Sequence, residues 1–218
     1  MIFRNIFVPL LLLALLYGCA SAPKATETRS GFLSDYSQLK ADGDGNSASY
    51  YAEGYDPKNY GQITFVPVKV QLSQKLLAES KLDAGQQQRI ADYLAGQLNQ
   101  RLAGGLQGKG SGTLTVRAAI SGVTSSSEDL SAWQYLPIAL VATAAKEAAG
   151  SRDQAPMLFL ESEAVDAASG KIVSARVRAM PLGLVEAKAW EKDPVEALKP
   201  LIAEWLDQLM TELEKKVK

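Results

Sequence analysis

The stretch MLFLESEAVDAASGKIVSARVRAM, residues 157–180, decides the fold class. It contains two runs of alternating residues on either side of the turn sequence AASG. This pattern predicts a β-hairpin, because successive side chains of a strand point to opposite faces of a sheet. Pairing Asp166 with Lys171 sets Glu161 opposite Arg176. The other face then carries four apolar side chains, those of Leu158, Leu160, Val173 and Val177.

Two acidic residues of this hairpin form either ion pairs or a catalytic pair. Glu161 and Glu163 are two positions apart, so they share one face of the strand. The facing strand carries Arg176 and Arg178, which predicts cross-strand ion pairs on a solvated sheet surface. The competing hypothesis is an envelope glycan hydrolase, because such enzymes use a pair of carboxylic acids.

Two further runs predict strands. Residues 61–72 alternate, but the phase slips at Val66 and Pro67. Proline cannot donate to a strand ladder, so this run predicts a strand with a bulge or an edge position near its middle. Residues 113–120 alternate without interruption, which predicts a strand with one apolar face that helices should cover.

Two amphipathic helices are predicted. The first follows Asp83 and Gln86, which have the spacing of a capping box, and ends near residue 104. The second follows Asp193 and extends to residue 217, but it contains Pro200, so it should kink or begin there. These elements predict an α+β fold, with one domain whose mainly antiparallel sheet of about four or more strands packs against the two helices.

Composition excludes several classes of function. The 218 residues carry 23 basic and 24 acidic side chains, a balance that argues against a nucleic-acid partner. Histidine is absent and there is one cysteine, so imidazole catalysis, imidazole metal sites and internal disulfides are excluded. The hydrophobic fraction of 47% is high enough for a folded core.

The N-terminal region is typical of a lipoprotein export signal. Its apolar run, residues 6–16, is shorter than the roughly 20 residues that a transmembrane helix needs. The sequence that follows resembles a bacterial lipobox, with Leu16 three positions before Cys19 and Gly18 just before it. We therefore expect cleavage between Gly18 and Cys19 and lipidation of the Cys19 thiol. The alternative is an ordinary signal peptide and a free cysteine.

The predicted organisation has four parts. Residues 1–18 are a lipoprotein signal peptide, 19–29 a lipidated cysteine and flexible tether, 30–60 an arm rich in tyrosine and glycine, and 61–218 the α+β domain. Ala20 follows the cysteine, which by resemblance to lipoprotein sorting signals implies a lipid anchor in the outer membrane facing the periplasm. The membrane is therefore an expected partner, through the lipid on Cys19.

Two surfaces are candidates for binding an unidentified envelope protein. The first lies in the arm, where Tyr50, Tyr51 and Tyr55 could form a platform for a partner or a glycan, or could pack on the domain itself. The second is the apolar segment 136–145, which is too short to cross a bilayer. That segment is either a core helix or a docking surface, and its candidate contact residues are Leu136, Ile138, Leu140 and Val141.

The chain resembles the Gram-negative lipoproteins catalogued as domain of unknown function 3313. The resemblance rests on the opening SGFLSDYSQLK at residues 30–40 and on the turn VDAASGK at residues 165–171. It implies the location and the fold described above, but no established activity and no catalytic residue. The positions that match the family pattern are Gly31, Phe32, Leu33, Tyr36, Leu39, Pro67, Asp166, Ser169 and Gly170.

Two other candidate binding motifs, a phosphate loop and a calcium loop, do not match their sequence patterns. The glycine-rich stretch 104–111 lacks the first glycine and the final serine or threonine of a phosphate loop and follows a helix instead of a strand. Asp42, Asp44, Asn46 and Glu53 fit four positions of a calcium loop, but Ser47 replaces its glycine and amphipathic helices do not flank it.

These failures leave a specific expectation about function. We expect no catalytic residue, no metal and no cofactor, and a role as a binding, scaffold or accessory module. A third hypothesis is a carrier of a lipid or small hydrophobic ligand, with the segment 136–145 as its lid.

Overall fold

The computed structural model describes residues 28–43, 45–127 and 153–217, except for the side chains of residues 126 and 127. The signal peptide, Gly18, Cys19, most of the tether and the segment 136–145 with its four candidate residues lie outside these ranges. The strands are β1 (Lys40–Ala41), β2 (Ser47–Tyr51), β3 (Tyr60–Phe65), β4 (Lys69–Val70), β5 (Leu106–Gln107), β6 (Gly112–Ser127), β7 (Gln154–Asp166) and β8 (Ile172–Pro181). The helices are α1 (Gln74–Glu79), α2 (Ala84–Leu102), α3 (Ala187–Lys192) and α4 (Pro194–Val217).

The strands form a single mixed sheet in the order β1-β2-β8-β7-β6-β3-β5, with β4 also paired to β6. Strands β3 and β4 run parallel to β6, and the other pairs are antiparallel. The α+β fold with a mainly antiparallel sheet is thereby confirmed. Strand β2 pairs with β8 along its whole length, so part of the stretch predicted as an arm, residues 30–60, lies in the sheet.

Helices α2 and α4 cover one face of the sheet. Their apolar stripes pack with the side chains that β6, β7 and β8 direct to that face, among them Ile120, Leu158 and Met180. The capping box at the start of α2 is confirmed, because the Asp83 carboxylate accepts from the Gln86 N–H at 2.7 Å while the Gln86 amide oxygen accepts from the Asp83 N–H at 3.0 Å. The described helices include none long and apolar enough to cross a membrane.

Two helix details were settled by the structure. Helix α4 begins at Pro194, directly after Asp193 as predicted, and continues through Pro200, so of the two alternatives for Pro200 the later start is excluded. The Asp193 carboxylate accepts from the Val195 N–H at 2.9 Å, which satisfies one of the free N–H groups of the first turn. The short helices α1 and α3 were not predicted, since six residues are too few to show helical periodicity.

The phase slip at Val66 and Pro67 is a break between two strands, where a bulge or an edge position within one strand was predicted. The chain leaves β6 after Phe65 and rejoins it at Lys69, which separates β3 from β4. At the gap the Asn99 side chain of α2 takes the place of a neighbouring strand. Its amide oxygen accepts from the Val68 N–H at 2.6 Å, and its amide nitrogen donates to the Val68 carbonyl at 3.4 Å.

The predicted hairpin is present as β7 and β8, but its register differs from the prediction. A β-bulge between Ala164 and Val165 shifts the pairing by one residue, so Glu161 lies opposite Val177 and not Arg176. A shift of one residue moves a side chain to the other face of the sheet. Val177 therefore shares the face of Glu161 and not that of Leu158, contrary to the prediction.

The face of the sheet opposite to α2 and α4 is covered near its middle by residues 28–39, which we call the N-terminal clasp. Phe32 and Leu33 of the clasp are buried against Phe159, Val177 and other residues of this face. Helix α1 contributes Leu76 to the same cluster. The sheet thus has a core on each face, and the smaller core depends on the segment nearest the predicted tether.

Candidate functional site

The glutamate pair lies beneath the N-terminal clasp. Glu161 and Glu163 occupy alternate positions of β7 on the same face as Phe159, as the alternation predicts. Their exposed fractions are 0% and 1%. The expectation of ion pairs on a solvated surface is therefore wrong, because the clasp covers this face. A buried carboxylate needs hydrogen-bond or charged partners, and the clasp supplies them.

Glu161 is held by two groups of the clasp. The Ser30 N–H donates to its Oε1 at 2.8 Å, and the Tyr36 hydroxyl donates to its Oε2. The neighbouring positions on β6 and β8 are Ala119 and Val177, which are uncharged, so the partners of this carboxylate come from the clasp.

Tyr36 organises the clasp around Glu161. Its hydroxyl oxygen accepts from the N–H of Gly31 at 2.9 Å and from the N–H of Leu33 at 3.2 Å while it donates to Glu161. Gly31 has a φ of 82°, a conformation that other residues adopt at a cost. Burial raises the pKa of the Tyr36 phenol, and the hydrogen bond to Glu161 raises that pKa further.

Glu163 is held by the clasp and by β6. The Ser34 N–H donates to its Oε1, and the Arg117 guanidinium donates to its Oε2 through Nε at 2.8 Å and through NH2. Arg117 NH2 also donates to the Ser34 hydroxyl at 2.7 Å. This guanidinium lies 5.1 Å from the centre of the Phe32 ring, within the range of a cation–π contact. The charge of Glu163 is thus neutralised inside the fold.

The arginines that were expected to pair with the glutamates face the other side of the sheet. Arg176 lies opposite Ser49 of β2. Its NH2 is 3.6 Å from an Asp42 carboxylate oxygen and donates to the Ser47 hydroxyl at 3.3 Å. Asp42, a candidate in the calcium-loop pattern, is therefore engaged with Arg176 and Ser47. In the described part of the chain there is no cluster of three or more potential metal-binding side chains.

This arrangement limits the chemistry of the glutamate pair. Backbone N–H groups, a phenol and a guanidinium occupy the carboxylate oxygens, and the clasp lies between them and solvent. While the clasp is in place, a glycan cannot approach either carboxylate. The two carboxylates thus attach the clasp to the sheet.

The candidate tyrosines of the partner surface are brought together in part. The rings of Tyr51 and Tyr55 stack with centroids 6.0 Å apart and planes 7° apart, and Tyr60 lies 6.1 Å beyond Tyr55 at a tilt of 44°. Tyr51 is 55% exposed, so it is the open end of this row. Tyr50 belongs to the opposite face of β2 and is not part of the row.

Burial within this row raises the pKa of Tyr55 to about 12, with smaller contributions from neighbouring groups. Burial also raises the pKa of Tyr60, and the nearby Asp166 carboxylate adds to that effect. By exposed surface the residues of the row grade from buried Tyr60 through half-buried Tyr55 to exposed Tyr51.

Sequence reasoning missed three contributors to the glutamate site, which are Ser30, Ser34 and Arg117. The two serines act mainly through backbone N–H groups, which any residue could supply, so no sequence signal marks them. Arg117 could have been found, because it is the one charged residue of the alternating run 113–120 and lies directly opposite Glu163 on β7.

Comparison with known proteins gives a consistent result. The profile of a family described as "Protein of unknown function (DUF3313)" matches residues 28–209. The chain is similar to the uncharacterized lipoprotein YdcL of Escherichia coli strain K12, with 31% identity over 180 residues that cover 75% of each chain. The protein of the same name from E. coli O157:H7 matches equally well. No solved structure matches the chain.

Proposed function

Because the chain belongs to the DUF3313 family of proteins of unknown function, and it is similar to proteins named lipoproteins, we propose that it is a lipid-anchored envelope protein. It acts as a binding or accessory module at the periplasmic face of the outer membrane. Cys19 carries the lipid, and Ala20 directs the protein to the outer membrane. A lipidated cysteine of this kind bears two or three acyl chains, enough for stable attachment.

The observation that carries this proposal is the attachment of the N-terminal clasp. The family match begins at residue 28, and Thr28 is fully buried. Eight residues lie between Cys19 and Thr28, which makes nine Cα-to-Cα steps (28 − 19 = 9), so the chain between them can span at most about 30 Å. The domain is therefore confined to a thin layer beside the membrane.

Confinement favours a role in binding. A partner in the same layer meets the domain at an effective concentration that can reach the millimolar range for a short linker. Weak contacts would then suffice for a specific association. The exposed end of the tyrosine row, Tyr51 stacked on Tyr55, supplies the type of rigid aromatic contact that is enriched at interfaces.

The direct test of the binding role is crosslinking in living cells. A photoreactive phenylalanine analogue placed at Tyr51 of the full-length protein should give a discrete crosslinked product. The same analogue at the exposed Lys192 is the matched control and should give none. Products of equal yield at both positions, or none at Tyr51, would contradict a binding surface at Tyr51.

The anchor is tested separately by labelling cells with radioactive palmitate and separating the inner and outer membranes on a density gradient. The label should enter the wild-type protein and be lost in Cys19→Ala, and the labelled protein should sediment with the outer membrane. Label that persists in Cys19→Ala would place the lipid elsewhere. Sedimentation with the inner membrane would contradict the proposed location.

A further inference from the structure

We propose that the N-terminal clasp is a releasable strap that sets how far the domain can stand from the membrane. The inference rests on the proposed anchor at Cys19 for its effect on distance. The opening of the strap itself depends only on contacts within the folded domain.

The bonding of the clasp allows it to separate from an intact sheet. Between residues 28 and 39 the described backbone forms neither helix nor strand. Its bonds to the rest of the domain include the N–H groups of Ser30 and Ser34, which donate to Glu161 and Glu163, and the Ser30 carbonyl, which accepts from the Gln71 side chain at 3.0 Å. Release of the clasp therefore breaks no strand pairing, and the next fixed point along the chain is β1, which begins at Lys40.

The contacts are arranged so that the clasp opens as a unit. The Tyr36 hydroxyl joins the backbone at Gly31 and Leu33 to the Glu161 carboxylate, and Arg117 joins Ser34 to Glu163. Loss of one bond loosens the others, because each carboxylate has partners in the same short segment. Opening exposes a small apolar cluster and two carboxylates that water solvates well. The free energy of opening the clasp is therefore lower than that of global unfolding of the domain.

Opening changes the reach of the domain. With the clasp closed, nine Cα-to-Cα steps connect Cys19 to Thr28 and span at most about 30 Å. With the clasp open, the free chain extends to Lys40, which is 40 − 19 = 21 Cα-to-Cα steps and at most about 70 Å. The two states thus confine the domain to layers that differ in thickness by roughly 40 Å.

Hydrogen exchange on the full-length protein tests whether the strap opens separately. The amides of Ser30 and Ser34 should exchange at one common rate, at least about tenfold faster than the amides of the β7–β8 ladder. Tyr36→Phe removes the hydroxyl that bonds Glu161, Gly31 and Leu33, so it should accelerate both by at least about tenfold, the effect of the bond to the charged group alone, and leave the ladder unchanged. Tyr51→Phe, the matched control, should change neither amide.

Two outcomes of this exchange experiment would overturn the strap. If Ser30 and Ser34 exchange only as fast as the β7–β8 ladder, the clasp is released only by global unfolding. If Tyr36→Phe accelerates Ser30 alone, the clasp does not open as a unit. Neither outcome depends on lipid, so the proposed anchor would be unaffected.

The change in reach is tested with lipidated full-length protein in phospholipid vesicles. A donor dye on Lys192→Cys and acceptor dyes in the bilayer report the distance by energy transfer. Phe32→Asp with Leu33→Asp should hold the clasp open, because a carboxylate does not bury in an apolar cluster, and should lower the transfer efficiency. Unchanged transfer, or loss of the β7–β8 ladder in this variant, would overturn the strap. Protein that fails to bind vesicles would contradict the anchor and leave the exchange result standing.

Discussion

At the scale of single residues, Glu161 and Glu163 place two ionisable groups inside a small domain. Such groups are tolerated when each has hydrogen-bond partners, and here the partners are concentrated in one segment of chain. Arg117 forms an ion pair with Glu163. Glu161 has no charged partner among these contacts and accepts hydrogen bonds from the Tyr36 phenol and the Ser30 N–H. The pair therefore couples the position of the clasp to the strand at the centre of the sheet.

Removal of the Glu163 carboxylate should destabilise the fold strongly. Glu163→Ala leaves the Arg117 guanidinium and the Ser34 N–H without their shared partner, so we expect the free energy of unfolding to fall by about 3 kcal/mol. Urea unfolding of the full-length protein measures this as a lower midpoint at constant slope. Glu53→Ala, at an exposed loop position, should change stability by less than about 0.5 kcal/mol. Equal effects of the two substitutions would show that Glu163 is not held as described.

Tyr55 should make stability depend on pH in the alkaline range. Burial raises its pKa to about 12 in the folded state, above the usual value of 10.0. The folded state therefore keeps the proton longer, and the stabilisation, which is complete below pH 10, is lost as the pH rises towards 12. After allowance for partial exposure we expect a loss of about 1–2 kcal/mol relative to Tyr55→Phe.

The measurement is urea unfolding of the wild type and Tyr55→Phe at pH 9 and pH 11.5. Other ionisations affect both proteins equally, so the difference between the two proteins isolates Tyr55. A difference that stays constant between these pH values would mean that the Tyr55 phenol titrates normally.

At the scale of secondary-structure elements, local sequence signals predicted beginnings and ends well. The capping box at Asp83 reflects bonds within a few residues, and the break at Pro67 reflects the missing N–H of a single residue; both are present in the structure. The bulge between Ala164 and Val165 could not be read from the sequence, because it depends on how two strands are aligned by contacts elsewhere. That single shift accounts for the misplacement of Val177 and of the arginine partners.

The glycine-rich stretch 104–111 illustrates a different element-scale constraint. A Cβ at Gly108 would lie 2.2 Å from the Tyr60 carbonyl oxygen, and one at Gly110 would lie 2.1 Å from the carbonyl carbon of Asn59. Close approach of two backbone segments thus explains these glycines. A phosphate is not needed to account for them.

Pro200 gives a prediction for α4. It lies inside the helix, where proline has no N–H to donate and its ring crowds the carbonyl four residues earlier. Pro200→Ala should therefore raise the free energy of unfolding by about 1–3 kcal/mol, measured by urea unfolding. Pro194→Ala is the matched control, since proline is well tolerated at the first helical position and should give no gain. An equal gain from both substitutions would contradict this explanation.

At the scale of the whole molecule, the fold class, both long helices and the hairpin were predictable from periodicity and capping. The glutamate site was not, because it forms between residues about 130 positions apart, and the burial of a charged strand residue depends on which segment covers it. The motif residues Gly31 and Tyr36 were recognised by resemblance alone. The structure supplies their physical reason, which is to bring the chain after the tether onto the sheet.

The central claim is that this domain is held at a membrane by lipid on Cys19. The most direct test is intact-mass spectrometry of the native protein extracted from bacterial membranes. We predict the mass of residues 19–218 plus a diacylglyceryl group, with or without a further acyl chain on the amino group. A mass that still includes residues 1–18, or that shows Cys19 with a free thiol, would contradict the account.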